Sequence, residues 1–244
     1  MTLDNALRNR PGAEWAGSSN TNFTVYDSPV KRNTGGWPEL QPRAFGVAIH
    51  IIMQFTNLTR ANEIGANCYY IQSNDHGWLL DCGAHPKVEG PESLPRLKLL
   101  ADKPLNAILV SHGHLDHIGS LPVILRERPE AQAYLTQATS LIADRALHNS
   151  VSVMTKQRGE LNLPEYPLFT HGEVDRLVDD FEMVPYNHLL DVEGAQITYH
   201  EAGHIQGAAG IWIQNGSESI FYTGDVKFAD MRITRAAQFP DQAP

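Results

Sequence analysis

Cysteine is nearly missing from this chain, with only Cys68 and Cys82 in 244 residues. Two thiols cannot build a disulfide framework or the Cys-x-x-Cys knuckles of a zinc ribbon, so the pair reads as buried, reduced side chains in neighbouring strands. Long apolar runs are also missing. No stretch approaches the length that spans a bilayer, and Met1 to Gly12 lacks the apolar centre of a signal peptide. The expectation is a cytoplasmic chain with no membrane partner. Positive charge is scarce as well. Lys and Arg number 19 against 28 Asp and Glu, a formal net charge of −9. The surface as a whole offers no electrostatic footprint for nucleic acid, so a polyanion must be held by bound metal or by a local patch. Repeats of fixed period and low-complexity segments do not occur. What remains is a composition, 42% hydrophobic and 19% charged, that suits one globular domain with a sizeable core.

The chemistry is concentrated in Ser111-His112-Gly113-His114-Leu115-Asp116-His117. Three imidazoles and a carboxylate within six residues exceed what one tetrahedral ion needs, and each is a ligand type suited to a borderline metal such as zinc. The run Leu105 to Val110 follows Lys103-Pro104 and reads as a buried strand. The cluster then lies at the carboxyl end of a strand, where open α/β sheets place their ligands. In an extended segment His112, His114 and Asp116 share a face, and a turn at Asp116 brings His117 alongside.

Residues 1–43 are rich in Asn, Gly, Ser, Pro and Thr and read as an irregular N-terminal extension. Strands are predicted at Val47–Phe55, Asn67–Gln72 and Gly77–Cys82, the last two joined as a hairpin through Ser73–Gly77. His50, in the first of these, reads as a core or edge residue. Leucines at 94, 97 and 100 behind Pro91 predict a helix. Helices are predicted again over Leu121–Arg128 and Thr136–His148, with a strand at Ala131–Leu135 between them. Thr170-His-Gly-Glu173 has the form of a capping box opening a further helix. His148 and His171 read as solvated helix residues. Strands follow at Met183–Tyr186, Ala195–His200, Ala208–Ile213 and Ser219–Thr223. The alternation predicts a layered α/β sandwich.

Two glycine-flanked turns, Ala202-Gly-His204-Ile-Gln-Gly207 and Tyr222-Thr-Gly-Asp225, carry further ligand types at strand ends. A carboxylate such as Asp225 can bridge two ions about 3.5–4 Å apart, the spacing that suits water activation and a leaving oxygen. His112-x-His114-x-Asp116-His117 with Asp81, His204 and Asp225 resembles the metallo-β-lactamase fold superfamily of hydrolases. Ala202–Ala209 together with Phe221–Asp225 resembles, more narrowly, its β-CASP nuclease branch. That branch includes the nuclease subunit of pre-mRNA 3′-end cleavage and RNase J. The resemblance runs from about Gly65 to Pro240.

The resemblance implies a four-layer αββα sandwich over residues 44–244. It implies that His112, His114 and His204 bind one zinc, and that Asp116 and His117 bind a second, with Asp225 bridging. Asp81 and Asp116 are the residues it assigns to catalysis, Asp81 by orienting the ligands and the attacking water through hydrogen bonds. Two Zn2+ ions are expected, with Mn or Fe as substitutes. The implied reaction is hydrolysis by a zinc-bound hydroxide, with RNA as substrate and partner and a homo-oligomer or a related subunit as a further partner.

One departure bears on this reading. The β-CASP branch inserts a cap domain after its Thr-Gly-Asp motif, and histidines beyond it complete the second zinc. No histidine follows His204 here. The sequence is therefore expected to be either the amino-terminal part of a longer protein or a short form with an altered site. His85 is a conceivable substitute ligand, though a surface role suits it better. Two other functions stay open. A small-molecule hydrolase cleaving a lactone, thioester or β-lactam suits the acidic surface. An inactive scaffold subunit of an RNA-processing complex suits a short form.

Overall fold

A computed structural model describes residues 23–25, 53–60 and 65–241, the first of these by backbone only. His50, most of the 1–43 extension and most of the strand expected at Val47–Phe55 lie outside the described residues. In chain order the elements are β1 Phe23–Val25, β2 Gln54–Asn57, β3 Tyr69–Ser73, β4 His76–Leu80 and β5 Ala107–Leu109. Helices α1 Leu115–Ile118 and α2 Leu121–Glu127 lead to β6 Gln132–Leu135. Helices α3 Gln137–Glu160 and α4 His171–Asp179 lead to β7 Glu182–Met183. The chain continues through β8 Leu189–Val192, β9 Ala195–Glu201, β10 Ala209–Asn215 and β11 Glu218–Tyr222.

The strands form two sheets. One runs β2-β3-β4-β5-β6-β7 and the other β1-β11-β10-β9-β8. In the first, β2, β3 and β4 are antiparallel while β4 to β7 are parallel, and the helices provide the crossovers that parallel strands require. The pleat divides the central strands between two cores. Tyr69, Ile71, Trp78, Leu80, Ala107 and Leu109 face Ile197, Tyr199, Ile211, Ile213 and Tyr222 of the other sheet. Tyr70, Leu79 and Ile108 point the opposite way, against the helices. Burial on both faces explains why Ala107 to Val110 is continuously apolar and does not alternate. Each such Leu or Ile contributes about 1.5–3 kcal/mol by leaving water. Polar links also cross between the sheets, among them Trp78 Nε1 donating to the Val192 carbonyl at 3.2 Å and Tyr199 OH to the Tyr134 carbonyl at 2.9 Å.

All four helices send buried apolar side chains into the layer outside the six-stranded sheet. The outer face of the five-stranded sheet is met, among the described residues, by the segment after β11. There Phe239 packs on Phe221 and stacks with Phe228. The sandwich of two facing sheets expected from the resemblance is found, and its helices among the described residues cover the six-stranded sheet. No helix among the described residues is long and apolar enough to cross a membrane. Cys68 and Cys82 are both buried and free.

Several boundaries differ from expectation. Pro91–Leu100 is two 3-10 turns, Gly90–Ser93 and Leu97–Leu100, because Leu94 precedes Pro95 and is held extended at ψ 148. Helix α3 runs on to Glu160, well beyond His148, because Ala143, Leu147, Val151 and Met154 continue one buried stripe. Strand β8 was not anticipated. Strand β1 falls within the segment expected to be irregular, and it pairs with β11 through Phe23 and Tyr222. The capping box at Thr170 and Glu173 is present in both directions.

Candidate metal centre

The six-stranded sheet delivers one half of the centre. The chain leaves β5 extended through His114 and turns into α1 at Leu115, so Asp116 and His117 lie in a helical turn. His112 and His114 are thus separated from Asp116 and do not share one extended face with it. The loop after β4 is stapled to this turn, the Cys82 amide donating to the His117 carbonyl at 2.8 Å and the Ala84 amide to Leu115 at 2.9 Å, and the Asn67 amide, just before β3, donates to the Asp116 carbonyl at 2.8 Å. The approach is so close that a Cβ on Gly83 would lie 1.7 Å from the Asp116 carbonyl oxygen. Glycine is required there by contact.

The five-stranded sheet delivers the other half. His204 lies in the loop between β9 and β10, and Asp225 follows β11 through Gly224 at φ 53, a left-handed conformation that favours glycine. The two halves are tied by the Ala209 amide, which donates to the Ser111 carbonyl at 2.9 Å.

Four side chains converge. His112, His114, His204 and Asp225 each offer an atom, and these atoms lie within 4.8 Å of one another. His112 Nε2 is 3.0 Å from His114 Nδ1, and His204 Nε2 is 3.2 Å from the same atom. Asp225 turns its two oxygens to different neighbours. Oδ2 lies 3.4 Å from His204 Nε2 and 3.9 Å from His112 Nε2, while Oδ1 lies 3.7 Å from His117 Nε2. Asp116 Oδ2 is 3.7 Å from His117 Nε2 on that second side. Nitrogen and carboxylate oxygen at these spacings form a donor set that could hold a divalent ion in the first group.

Asp81 stands behind the cluster, fully buried and with φ 56. Its Oδ1 accepts from the Ser111 amide at 2.7 Å, and its Oδ2 from Ser111 Oγ at 2.7 Å, His117 Nδ1 at 2.7 Å and Tyr222 OH at 2.6 Å. With both oxygens engaged in this way, Asp81 is a positioning residue. The contact fixes the His117 proton on Nδ1 and leaves the Nε2 lone pair facing Asp225. His112 is set similarly, with Nδ1 at 3.0 Å from Ser111 Oγ. Ser111 and Tyr222 carry no signal of this role beyond adjacency to the motifs. Asn67, whose Nδ2 lies 3.0 Å from His117 Nε2, carries none.

The electrostatics follow from burial. Desolvation, reinforced by the neighbouring His117, His114 and His204, holds His112 far below the ordinary imidazole range, so its ring is neutral. Burial lowers His204 too, and the opposing Asp225 charge does not overcome it. Burial also pulls on His117, but the charge and hydrogen bond of Asp81, with Asp116 and Asp225, raise it overall. A metal at His117 Nε2 would displace only the second proton of the imidazolium, the Nδ1 proton staying on the Asp81 contact. Burial, then Asp81, pushes the Tyr222 phenol well above its usual value, keeping it a donor. His85 is half-buried, its Nδ1 accepting the Lys87 amide at 3.1 Å.

Residues 61–237 match the family model of the metallo-beta-lactamase superfamily. Endoribonuclease ysh1 of Schizosaccharomyces pombe is 28% identical over 194 residues, 79% of this chain and 25% of that protein. Cleavage and polyadenylation specificity factor subunit 3-I of Arabidopsis thaliana is 28% identical over 190 residues, 78% of this chain and 27% of that protein. The chain therefore spans about a quarter of the length of the curated relatives it matches. Among solved structures, Rm3 metallo-beta-lactamase aligns with a TM-score of 0.41 at 21% identity, over 63% of this chain and 52% of that one.

Proposed function

Given that the chain belongs to the metallo-beta-lactamase superfamily, we propose that it serves as the metal-binding part of a ribonuclease of the β-CASP branch, hydrolysing RNA phosphodiesters. The observation that carries this reading is the split orientation of Asp225. Its Oδ2 faces His112 and His204, and its Oδ1 faces His117. A carboxylate so placed is arranged to bridge two cations, and a paired-cation site suits in-line displacement at phosphorus. Relatives named as endoribonucleases support RNA as the substrate class.

In this reading His112, His114, His204 and Asp225 hold the first zinc, and Asp116, His117 and Asp225 the second. Bound zinc supplies Lewis-acid charge neutralisation on the phosphoryl oxygens and lowers the pKa of water. The rest is done by side chains of this chain. Asp81 fixes the His117 ring through Nδ1, and Ser111 does the same for His112. Tyr222 and the Ser111 amide hold Asp81 in turn. The acidic balance of the chain supplies no general attraction for RNA, so binding depends on the cations and on local contacts.

The test is Asp225→Ala in the full-length protein that carries this sequence, assayed on RNA with and without a chelator. Cleavage that disappears with the variant and with the chelator supports the proposal. Undiminished cleavage in either case refutes it. Inert RNA alongside rapid turnover of a thioester by the wild type would reassign the site to small-molecule hydrolysis.

A further inference from the structure

A second group of chelating side chains lies between α3 and α4. Asp144 and His148 are four residues apart on α3, and His171 and Asp175 are four apart on α4, so each pair occupies one helix face. The two faces meet. His148 Nδ1 lies 2.7 Å from His171 Nδ1, with the rings 19° from parallel. His148 Nε2 lies 3.2 Å from Asp175 Oδ1 and 3.4 Å from Asp144 Oδ1. The pair is separate from the centre described above. Thr139, which touches the Gly207 carbonyl beside that centre, precedes His148 by about 13 Å along the α3 axis.

Two carboxylates facing Nε2 draw the imidazole proton to that side. The Nδ1 lone pair of His148 is then free and points at a second ring nitrogen. Two nitrogens this close require a proton or a cation between them. A carboxylate behind the far nitrogen is the arrangement that fixes the tautomer of metal-binding histidines and raises their basicity. We propose that His148 and His171, backed by Asp144 and Asp175, bind a divalent transition-metal ion that clamps α3 to α4. Imidazole with carboxylate support suits zinc, nickel or copper. With metal–nitrogen bonds of about 2.0–2.1 Å at tetrahedral angles, the ring nitrogens need to part to about 3.3 Å, a shift of a few tenths of an ångström. His148 is 29% exposed at its side chain and Asp175 67%, so water can complete the coordination sphere.

The experiment counts zinc bound to the full-length protein by equilibrium dialysis and follows Tm as Ni2+ is added. His171→Ala is expected to lose about one zinc equivalent and the Ni2+-dependent rise in Tm, while the zinc of the His112–Asp225 centre stays. Equal zinc counts and equal Ni2+ responses in wild type and variant overturn the proposal. Asp175→Asn decides if His171→Ala fails to fold. An affinity about 10–100-fold weaker at this site supports the clamp, and an unchanged affinity overturns it.

Discussion

Asp81→Asn removes one charge and almost no volume from behind the metal centre. The carboxylate accepts four hydrogen bonds, one at Oδ1 and three at Oδ2, all between 2.6 and 2.7 Å. An amide has one oxygen. With that oxygen in the Oδ2 position, the NH2 group confronts the Ser111 amide, donor against donor. The reverse orientation confronts three donors. At least one buried donor loses its partner, at about 1–3 kcal/mol, and the remaining bonds lose their charge assistance. A total of about 3 kcal/mol lowers Tm by about 6–12 °C in a chain of this size. The backbone adds little, since asparagine tolerates φ 56 as well as aspartate does. With the His117 ring less firmly held, zinc affinity falls about 10–100-fold.

The same substitution carries a pH signature. In chelated protein, burial lowers His117 but Asp81 outweighs it, so the folded chain holds this proton more tightly than the unfolded chain. A raised imidazole contributes its stability in full below the unfolded pKa of about 6.5, and that contribution is lost as pH rises through the folded value. Asp81→Asn deletes the contribution. The Tm gap between wild type and variant is therefore wider near about pH 6 than near about pH 8.5. The lowered histidines, His112 and His204, act in the opposite sense but in both proteins alike. Differential scanning calorimetry in chelator, with zinc competition titrations alongside, makes the measurement. A pH-independent gap together with unchanged zinc affinity would refute the positioning role.

Gly83→Ala places a methyl group against the main chain of Asp116, where no rotamer change relieves it. A loss of about 3 kcal/mol is expected, with weakened zinc binding on the Asp116–His117 side, read by thermal melts and metal content. Thr170→Ala removes the hydroxyl that accepts from the Glu173 amide in the α4 capping box, while the reciprocal bond from the residue 170 amide to the Glu173 carboxylate stays. It is expected to cost about 1 kcal/mol, a Tm decrease of about 2–4 °C, with zinc at the main centre unchanged.

Much of this centre was legible because its ligands are dense. His112, His114, Asp116 and His117 fall within six residues, and glycine punctuates the turns of His204 and Asp225. Their pairing across two sheets was not legible from spacing, since it depends on how β5, β9 and β11 dock. The family resemblance supplied that step. The supporting layer was harder to see. Asn67 looks like any strand residue, and Tyr222 like any core aromatic, until the fold brings them to His117 and Asp81. Local chemistry misled at Leu94, where leucine spacing outvoted the restriction imposed by Pro95. His148 and His171 lie on helices and partly in solvent as expected, but their meeting through α3–α4 packing has no trace in the spacing. The buried stripe of α3 was readable beyond His148 through Val151 and Met154, although polar neighbours obscure it.

The division of the centre between two sheets has a consequence for assembly of the molecule. His112 and Asp225 come from distant parts of the chain and are brought together only when both sheets have docked through Trp78, Tyr199 and their neighbours. The convergent group forms late, because His112 and His114 meet His204 and Asp225 only across the docked sheets. Loading with metal is therefore a late event that reports correct sheet docking. If the proposed centre binds metal, molecules with misaligned sheets would be under-metallated before they lost secondary structure, and the metal-to-protein ratio would report sheet docking that circular dichroism does not.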